Sequence, residues 1–191
     1  MKKQWSRKFI LAVLFFGGIC LLSSSFYIKA KACVAQVLLE KAWQKSMAGG
    51  APVKPWPWAD TWPVARLQWP AEGISLIVLE GAFGSALAFG PGRMENSAMP
   101  GSAGISVICG HRDTVFSFLQ HVKYGEKFLL QTRDGQRRQF VVTGIAIRDA
   151  RDIRLPVEAD EPRLTLVTCY PFEGIVPTEM RYLVFAEPVK S

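Results

Sequence analysis

The chain has 191 residues, 49% hydrophobic and only 20% charged, which allows one compact domain plus a short appendage and excludes a disordered chain. Its net charge of +7 lies wholly in the first third: residues 1–63 carry nine basic and two acidic residues, while residues 64–191 carry 14 of each. Nucleic acid is therefore not expected as a partner, because the part that folds lacks a clustered Lys/Arg footprint.

Lys2, Lys3, Arg7 and Lys8 open the chain with no acidic residue among them, and Phe9 to Ile28 follows without a charge. At 1.5 Å per residue those twenty residues reach ~30 Å, the thickness of a bilayer core. The reading is a cytoplasmic tail over 1–8 and a transmembrane helix over 9–28. The positive-inside rule then places the remainder outside the cytoplasm. A cleaved signal peptide is the rival, since Ala30-Lys31-Ala32 offers small residues at a suitable spacing. Lys29 and Lys31 flank that site and the apolar run is long, so an uncleaved anchor is favoured. A lipid attached at Cys33 is disfavoured, because the apolar residue expected three positions earlier is missing.

Residues 30–48 contain no Gly or Pro and read as a helix continuing outward, stopped by Gly49-Gly50. Pro52, Pro55, Pro57 and Pro63 then alternate with Trp56, Trp58 and Trp62. Such a segment is neither helix interior nor central strand. It is an extended strap, expected to pack on the domain rather than to sit at a lipid interface. Residues 29–63 thus form a juxtamembrane helix and strap, and residues 64–191 the domain.

From residue 64 the pattern is β. Val64–Trp69, Ile74–Leu79, Ala86–Phe89, Ile105–Cys109, Lys127–Thr132, Gln136–Val142, Leu164–Thr168 and Arg181–Ala186 read as short strands. Asp134-Gly135 is a hairpin signal between two of them. No helical spacer of βαβ length intervenes. The fold class is all-β, a closed or nearly closed barrel of about eight strands with one or two short helices. One such helix is expected over Thr114–His121, with Asp113 as its cap.

The four cysteines make no disulfide framework: Cys20 lies in the apolar segment, Cys33 just beyond it, and only Cys109 and Cys169 in the domain. The two histidines, His111 and His121, match no standard metal spacing, and no metal or cofactor is expected. Three segments carry chemistry: Ile108-Cys109-Gly110-His111-Arg112-Asp113, Leu164-Thr165-Leu166-Val167-Thr168-Cys169, and Arg181 opening the last strand. Strand ends at a barrel rim can bring side chains together over a groove. A cysteine attacks as its thiolate, a histidine exchanges protons near neutral pH, and an arginine stabilises a developing oxyanion. Together Cys169, His111 and Arg181 make a complete acyl-transfer set. Cys109 lies two residues before His111 and, on a regular strand, on the same side. It is expected to be a small core residue, with a disulfide to Cys169 as the lesser alternative.

Thr165-Leu166-Val167-Thr168-Cys169 with Arg181 on the final strand, and Gly110-His111 upstream, resembles the sortase signature. The resemblance covers residues 64–191, and the Pro/Trp strap with Gly110-His111-Arg112-Asp113 and Cys169-Tyr170-Pro171-Phe172 resembles the proteobacterial subgroup. It implies a sortase-like barrel on an inner-membrane anchor, facing the periplasm and serving one dedicated surface protein. Cys169 would attack the carbonyl of a threonine in a C-terminal Leu-Pro-x-Thr-like sorting signal, His111 would protonate the leaving amine, and Arg181 would hold substrate backbone or oxyanion. An amine acceptor or water would release the thioacyl intermediate. Thr168 and Asp113 would assist, Asp113 more as a helix cap than as an orienter of His111. Val115 departs from the pattern, standing where an aromatic or second histidine is expected. Two alternatives stand beside this reading. An L,D-transpeptidase would place His and Cys close together, whereas here they are 58 positions apart. A non-catalytic membrane-tethered barrel would need no reactive thiol.

Overall fold

The structure, a computed structural model, describes residues 2–154, 158–174, 176 and 178–189, with the backbone alone for residues 2–8, 10, 20–22, 24–26 and 28. It forms two compact units, Met1–Val37 and Leu38–Ser191. Helix α1 runs over Lys2–Gly49. It stops as expected: Gly50 adopts φ +68° and its N–H returns to the Ser46 carbonyl at 2.9 Å, a left-handed cap that suits glycine. In the first unit Phe9, Leu11, Leu14, Phe15 and Phe16 are exposed. Among the described residues no helix is long and apolar enough to cross a membrane. The side chains of the expected tail over 1–8, and of positions 10, 20–22, 24–26 and 28 within the expected span, Cys20 included, lie outside the described residues.

The second unit is a closed barrel of eight strands: β1 (Pro63–Trp69), β2 (Ile74–Glu80), β3 (Gly92–Arg93), β4 (Gly104–Cys109), β5 (Lys127–Thr132), β6 (Arg137–Asp149), β7 (Pro162–Cys169) and β8 (Met180–Pro188). Around the barrel they run β1-β2-β3-β4-β7-β8-β6-β5. Closure leaves no free sheet edge. Inside lie Leu67, Trp69, Ile108, Phe116, Phe128, Phe140, Leu164, Leu166 and Val184. Outside, Ile105, Val107, Val167 and Leu183 form a second apolar cluster, covered by Ile153 and Ala159 from the β6–β7 connection. Strands β4 and β7 therefore bury both faces over most of their length, which is why Ile105–Cys109 and Leu164–Cys169 show no charged residue and no sustained apolar–polar alternation.

The structure corrects three expectations. Ala86–Phe89 is not a strand. Gly84–Leu87 is a single helical turn, α2, with Ala86 buried against Leu39 and Leu79; four apolar residues do not specify a period. The strand in this region is β3, only two residues long and hidden in a Gly/Pro-rich stretch. Gly92 belongs there because a Cβ would come within 2.1 Å of the Gly81 carbonyl oxygen. Finally, Thr114–His121 is not an Asp113-capped helix. A 3₁₀ turn covers Ser117–His121, with Phe116 at its cap position and no side-chain cap bond. Strand β6 also runs on to Asp149, past a register shift between Val142 and Gly144, because β8 offers it a full-length partner.

The end of α1 and the strap pack on the barrel. Leu39, Ala42, Trp43 and Ser46 are buried. Arg66 lies over the Trp43 ring at 5.8 Å and holds both Glu40 oxygens, at 2.6 and 2.8 Å. The Ser46 hydroxyl accepts the Val53 N–H, Thr61 donates to the Glu80 carbonyl, and the Trp56 ring meets Phe89 at 4.9 Å. Packing of the strap thus holds for Trp56, whereas Trp58 is 83% exposed.

Candidate active site

Cys169 ends β7, and the antiparallel register sets it directly opposite Arg181 on β8. Directly opposed residues share a face, and on its other flank Arg181 opposes Arg148 of β6. The thiol therefore lies beside a row of guanidinium charge on the outer face of the barrel. Nη1 of Arg181 donates to the carbonyls of Thr178 and Met180, at 2.8 and 3.0 Å. Its Nε and Nη2 have no partner among the described residues, so they remain donors for a bound carbonyl oxygen.

The histidine segment arrives from the parallel neighbour β4, where Cys109 pairs with Val167. The Gly110 N–H continues the ladder to the Val167 carbonyl at 3.1 Å, and the Thr168 hydroxyl donates to the Gly110 carbonyl at 2.7 Å. The residue before Cys169 is thus bonded to the residue before His111. Beyond it the chain folds back, with the His111 carbonyl accepting the Phe116 N–H at 3.0 Å. Gly110 permits this return, since a Cβ there would lie 2.7 Å from the Phe116 ring. His111 itself is exposed.

Thr168 and Asp113 lie on the same rim but do different things. Thr168 is 2% exposed and its hydroxyl is committed to Gly110, so it joins the two loops rather than facing a substrate. Asp113 is exposed and caps no helix. His121 sits in the 3₁₀ turn. Among the described residues no group of His, Cys, Asp and Glu converges to hold a metal ion.

Cys33, Cys109 and Cys169 are free thiols. Burial pushes the Cys109 thiol up to about 11, with Cys169 adding to the rise and Arg181 opposing it. The register places Cys109, Cys169 and Arg181 on one face, since Cys109 is level with Val167 and Cys169 opposes Arg181. Cys109 is nevertheless level with Val167, two residues short of Cys169. Strand spacing then separates the two cysteine Cα atoms by ~8 Å, beyond the reach of a disulfide without strand movement. Cys109 packs with Val107 and Val167 as floor beneath the site.

Arg112 is a residue whose part the sequence did not reveal. Its Nη2 donates to the Gly174 carbonyl and, at 3.5 Å, reaches that of Val176, tying the histidine loop to the β7–β8 connection. These partners lie 62 and 64 positions away, so no local pattern could signal them. The same connection carries Tyr170 and Phe172, which pack on each other and on Tyr182 of β8 with ring centroids 5.0–6.3 Å apart. The rim therefore offers a half-buried thiol, guanidinium donors beside it with no partner among the described residues, and an exposed imidazole on a loop tied one residue away. Such a set can perform acyl transfer.

A model of the sortase domain matches residues 67–189. The chain is 30% identical to Sortase D of Bacillus subtilis over 124 residues, a match spanning 64% of this chain and 62% of that protein's length. Its structure resembles that of a Clostridium perfringens Sortase D5 transpeptidase, with TM-score 0.67 and 22% identity over 83% of this chain and 99% of the other. It also resembles Sortase A from Corynebacterium diphtheriae, with TM-score 0.62 and 24% identity over 83% of this chain and 86% of the other. At these identities the two structures speak for the fold alone. The domain match covers more than half of the chain, and the closed barrel agrees with it: the chain belongs to the sortase family.

Proposed function

We propose that this chain is a membrane-anchored transpeptidase that cleaves a Leu-Pro-x-Thr-like sorting signal near the C-terminus of a surface protein. The observation that carries the proposal is the register setting Cys169 opposite Arg181, with the His111 loop bonded to the residue beside the thiol. Cys169 attacks the threonine carbonyl and forms a thioacyl intermediate. Free Arg181 donors receive the oxyanion, and His111 passes its proton to the leaving amine. An amine, or water, then releases the acyl group.

The uncharged run Phe9–Ile28 between basic flanks, with its exposed Phe9, Leu11, Leu14, Phe15 and Phe16, supports a single-pass anchor. In this reading the barrel faces the periplasm from the inner membrane of a proteobacterial cell. Retention in the pellet after alkaline carbonate extraction is expected, and release into the supernatant would count against the anchor.

The test of the chemistry uses the full-length protein in detergent with a fluorescent sorting-signal peptide. Wild type is expected to cleave it and to leave a hydroxylamine-sensitive thioester adduct on Cys169. Cys169→Ala is expected to do neither. Normal cleavage by Cys169→Ala would remove the nucleophile assignment.

A further inference from the structure

The imidazole of His111 is exposed and has no hydrogen-bond partner among the described residues. A histidine that moves a proton works only within hydrogen-bond reach of the departing atom. With nothing bonded to its ring, the place of this imidazole is set by the backbone on either side. On one side that backbone is fixed to β7, through the Gly110 N–H on the Val167 carbonyl and the Thr168 hydroxyl on the Gly110 carbonyl. On the other side stands Arg112, which is half-buried.

The Arg112 guanidinium is committed to the β7–β8 connection. Nη2 donates to the Gly174 carbonyl and reaches that of Val176. Nη1 is buried with no partner among the described residues and lies against Gly174, where a Cβ would come within 3.2 Å of it. Burying a guanidinium nitrogen without a partner costs free energy, so this is not the seat of a solvated surface charge. Arg181 holds the same connection at its far end, through the carbonyls of Thr178 and Met180. Between these holds the connection is tied back on itself, Gly174 to Pro171 and Thr178 to Tyr170. The stretch of chain that leaves Cys169 is thus gripped by the neighbour of His111 on one side and by Arg181 on the other.

We infer that Arg112 is a positioning residue, which holds the His111 segment where the imidazole can protonate the leaving amine. The inference rests on the acyl-transfer reading above. In that step the Cys169 sulfur bonds to the threonine carbonyl carbon, the carbon–nitrogen bond breaks, and the departing nitrogen takes its proton from His111. A donor whose leaving group departs as a stable anion, such as a nitrophenyl ester, needs no such proton. Loss of Arg112 therefore slows the amide more than the ester. Neither a folding defect nor weaker binding of the shared acyl part would separate the two.

The experiment gives full-length enzyme in detergent an amide or a nitrophenyl-ester donor with the same acyl part, and measures release of the leaving group in the first turnover. The amide-to-ester ratio is read within each variant, so changes in overall rate cancel. His111→Ala sets the scale by lowering that ratio. Arg112→Ala is expected to lower it by about 30-fold, the size of effect that a displacement of about 1 Å produces. Arg112→Lys should recover part of the loss, because an ammonium keeps a donor but lacks the planar fork. Gly174→Ala crowds the guanidinium from the far side and leaves the histidine segment unchanged in sequence, so it should lower the ratio in the same direction and by less. Added to His111→Ala, Arg112→Ala should lower the ratio no further. An unchanged ratio in Arg112→Ala, or losses that multiply in the double variant, overturns the positioning role. A wild type inert towards both donors would instead sink the acyl-transfer reading, and the inference with it.

Discussion

The rim at the ends of β4, β7 and β8 and the base formed by the end of α1, the strap and β1–β3 are built by opposite rules. At the rim the backbone is bonded from loop to loop, through Gly110, Val167, Thr168 and Phe116, while the chemical side chains have no hydrogen-bond partner among the described residues: His111, Cys169 and two of the three Arg181 nitrogens. At the base the charged side chains are the ones paired. Arg93 holds Glu80, Arg66 holds Glu40, and Thr61 and Ser46 bond to backbone. A side chain that must accept a substrate cannot already be satisfied by the protein. One that holds the fold must be. Substitutions at the rim should therefore change rate without stability, and those at the base the reverse.

The largest expected effect is on the rim. His111→Ala should lower cleavage by about 10²–10⁴-fold, while the unfolding free energy stays within ~0.5 kcal/mol of wild type, as for an exposed side chain with no partner. Peptide turnover and urea unfolding measured on the same preparation check both halves. A large loss of stability would mean the imidazole holds the loop, and the contrast between the regions would fail.

At the base the prediction is the mirror image. The Arg93 and Glu80 side chains are 9% and 15% exposed and lie in direct ion-pair contact. Arg93→Met leaves Glu80 buried without its partner, at a cost of about 3–5 kcal/mol, or a Tm lower by roughly 10 °C. Arg93→Met with Glu80→Met should recover much of that loss, since it removes both buried charges. Thermal denaturation of the two variants decides the point.

Cys109 sharpens the comparison because it sits at the rim but obeys the rule of the base. Burial holds its thiol up near 11, so the folded chain keeps a proton there that the unfolded chain releases earlier. The contribution is intact below the ordinary thiol range, near pH 9, and is lost as pH rises through about 11. The full loss is at most ~3 kcal/mol. Relative to each protein's own stability at pH 8, Cys109→Ala should lose less than wild type between pH 9 and 11. Parallel curves would show that the folded chain does not resist ionisation at Cys109.

The sequence was legible where the signal is local or covalent in spacing. The strands announced themselves by apolar runs between Gly, Pro and Asp-Gly punctuation, and the helix stop by Gly49-Gly50. Cys169, His111 and Arg181 were legible as motif residues. That they sit on one rim follows from the register of β4, β7 and β8, which no local pattern encodes. Misreadings fall where four or fewer residues decide: the turn α2, the two-residue β3, and the Asp113 cap displaced when Phe116 turned inward to the core. Arg112 and Arg93 gave no signal because what matters about them is a partner set by the tertiary fold.

The smallest effect tests the base at its exposed end. Burial alone would raise the Glu40 carboxyl. The hydrogen bonds from Gln44 and Arg66, with the charge of Arg66, outweigh it and leave the group below its ordinary value. The stabilisation is thus present at neutral pH and fades as the pH falls below the ordinary carboxylate range, when Glu40 takes up its proton in the folded state. Glu40 keeps 44% of its side chain exposed, so solvent screens the pair and Glu40→Gln should cost no more than ~1 kcal/mol at pH 7 and close to nothing at pH 3. Urea unfolding at the two pH values measures the difference. A cost that persists at pH 3 would assign the contact to packing of Arg66 on Trp43 rather than to charge, and would extend the rule of paired side chains at the base from ion pairs to the aromatic face beneath them.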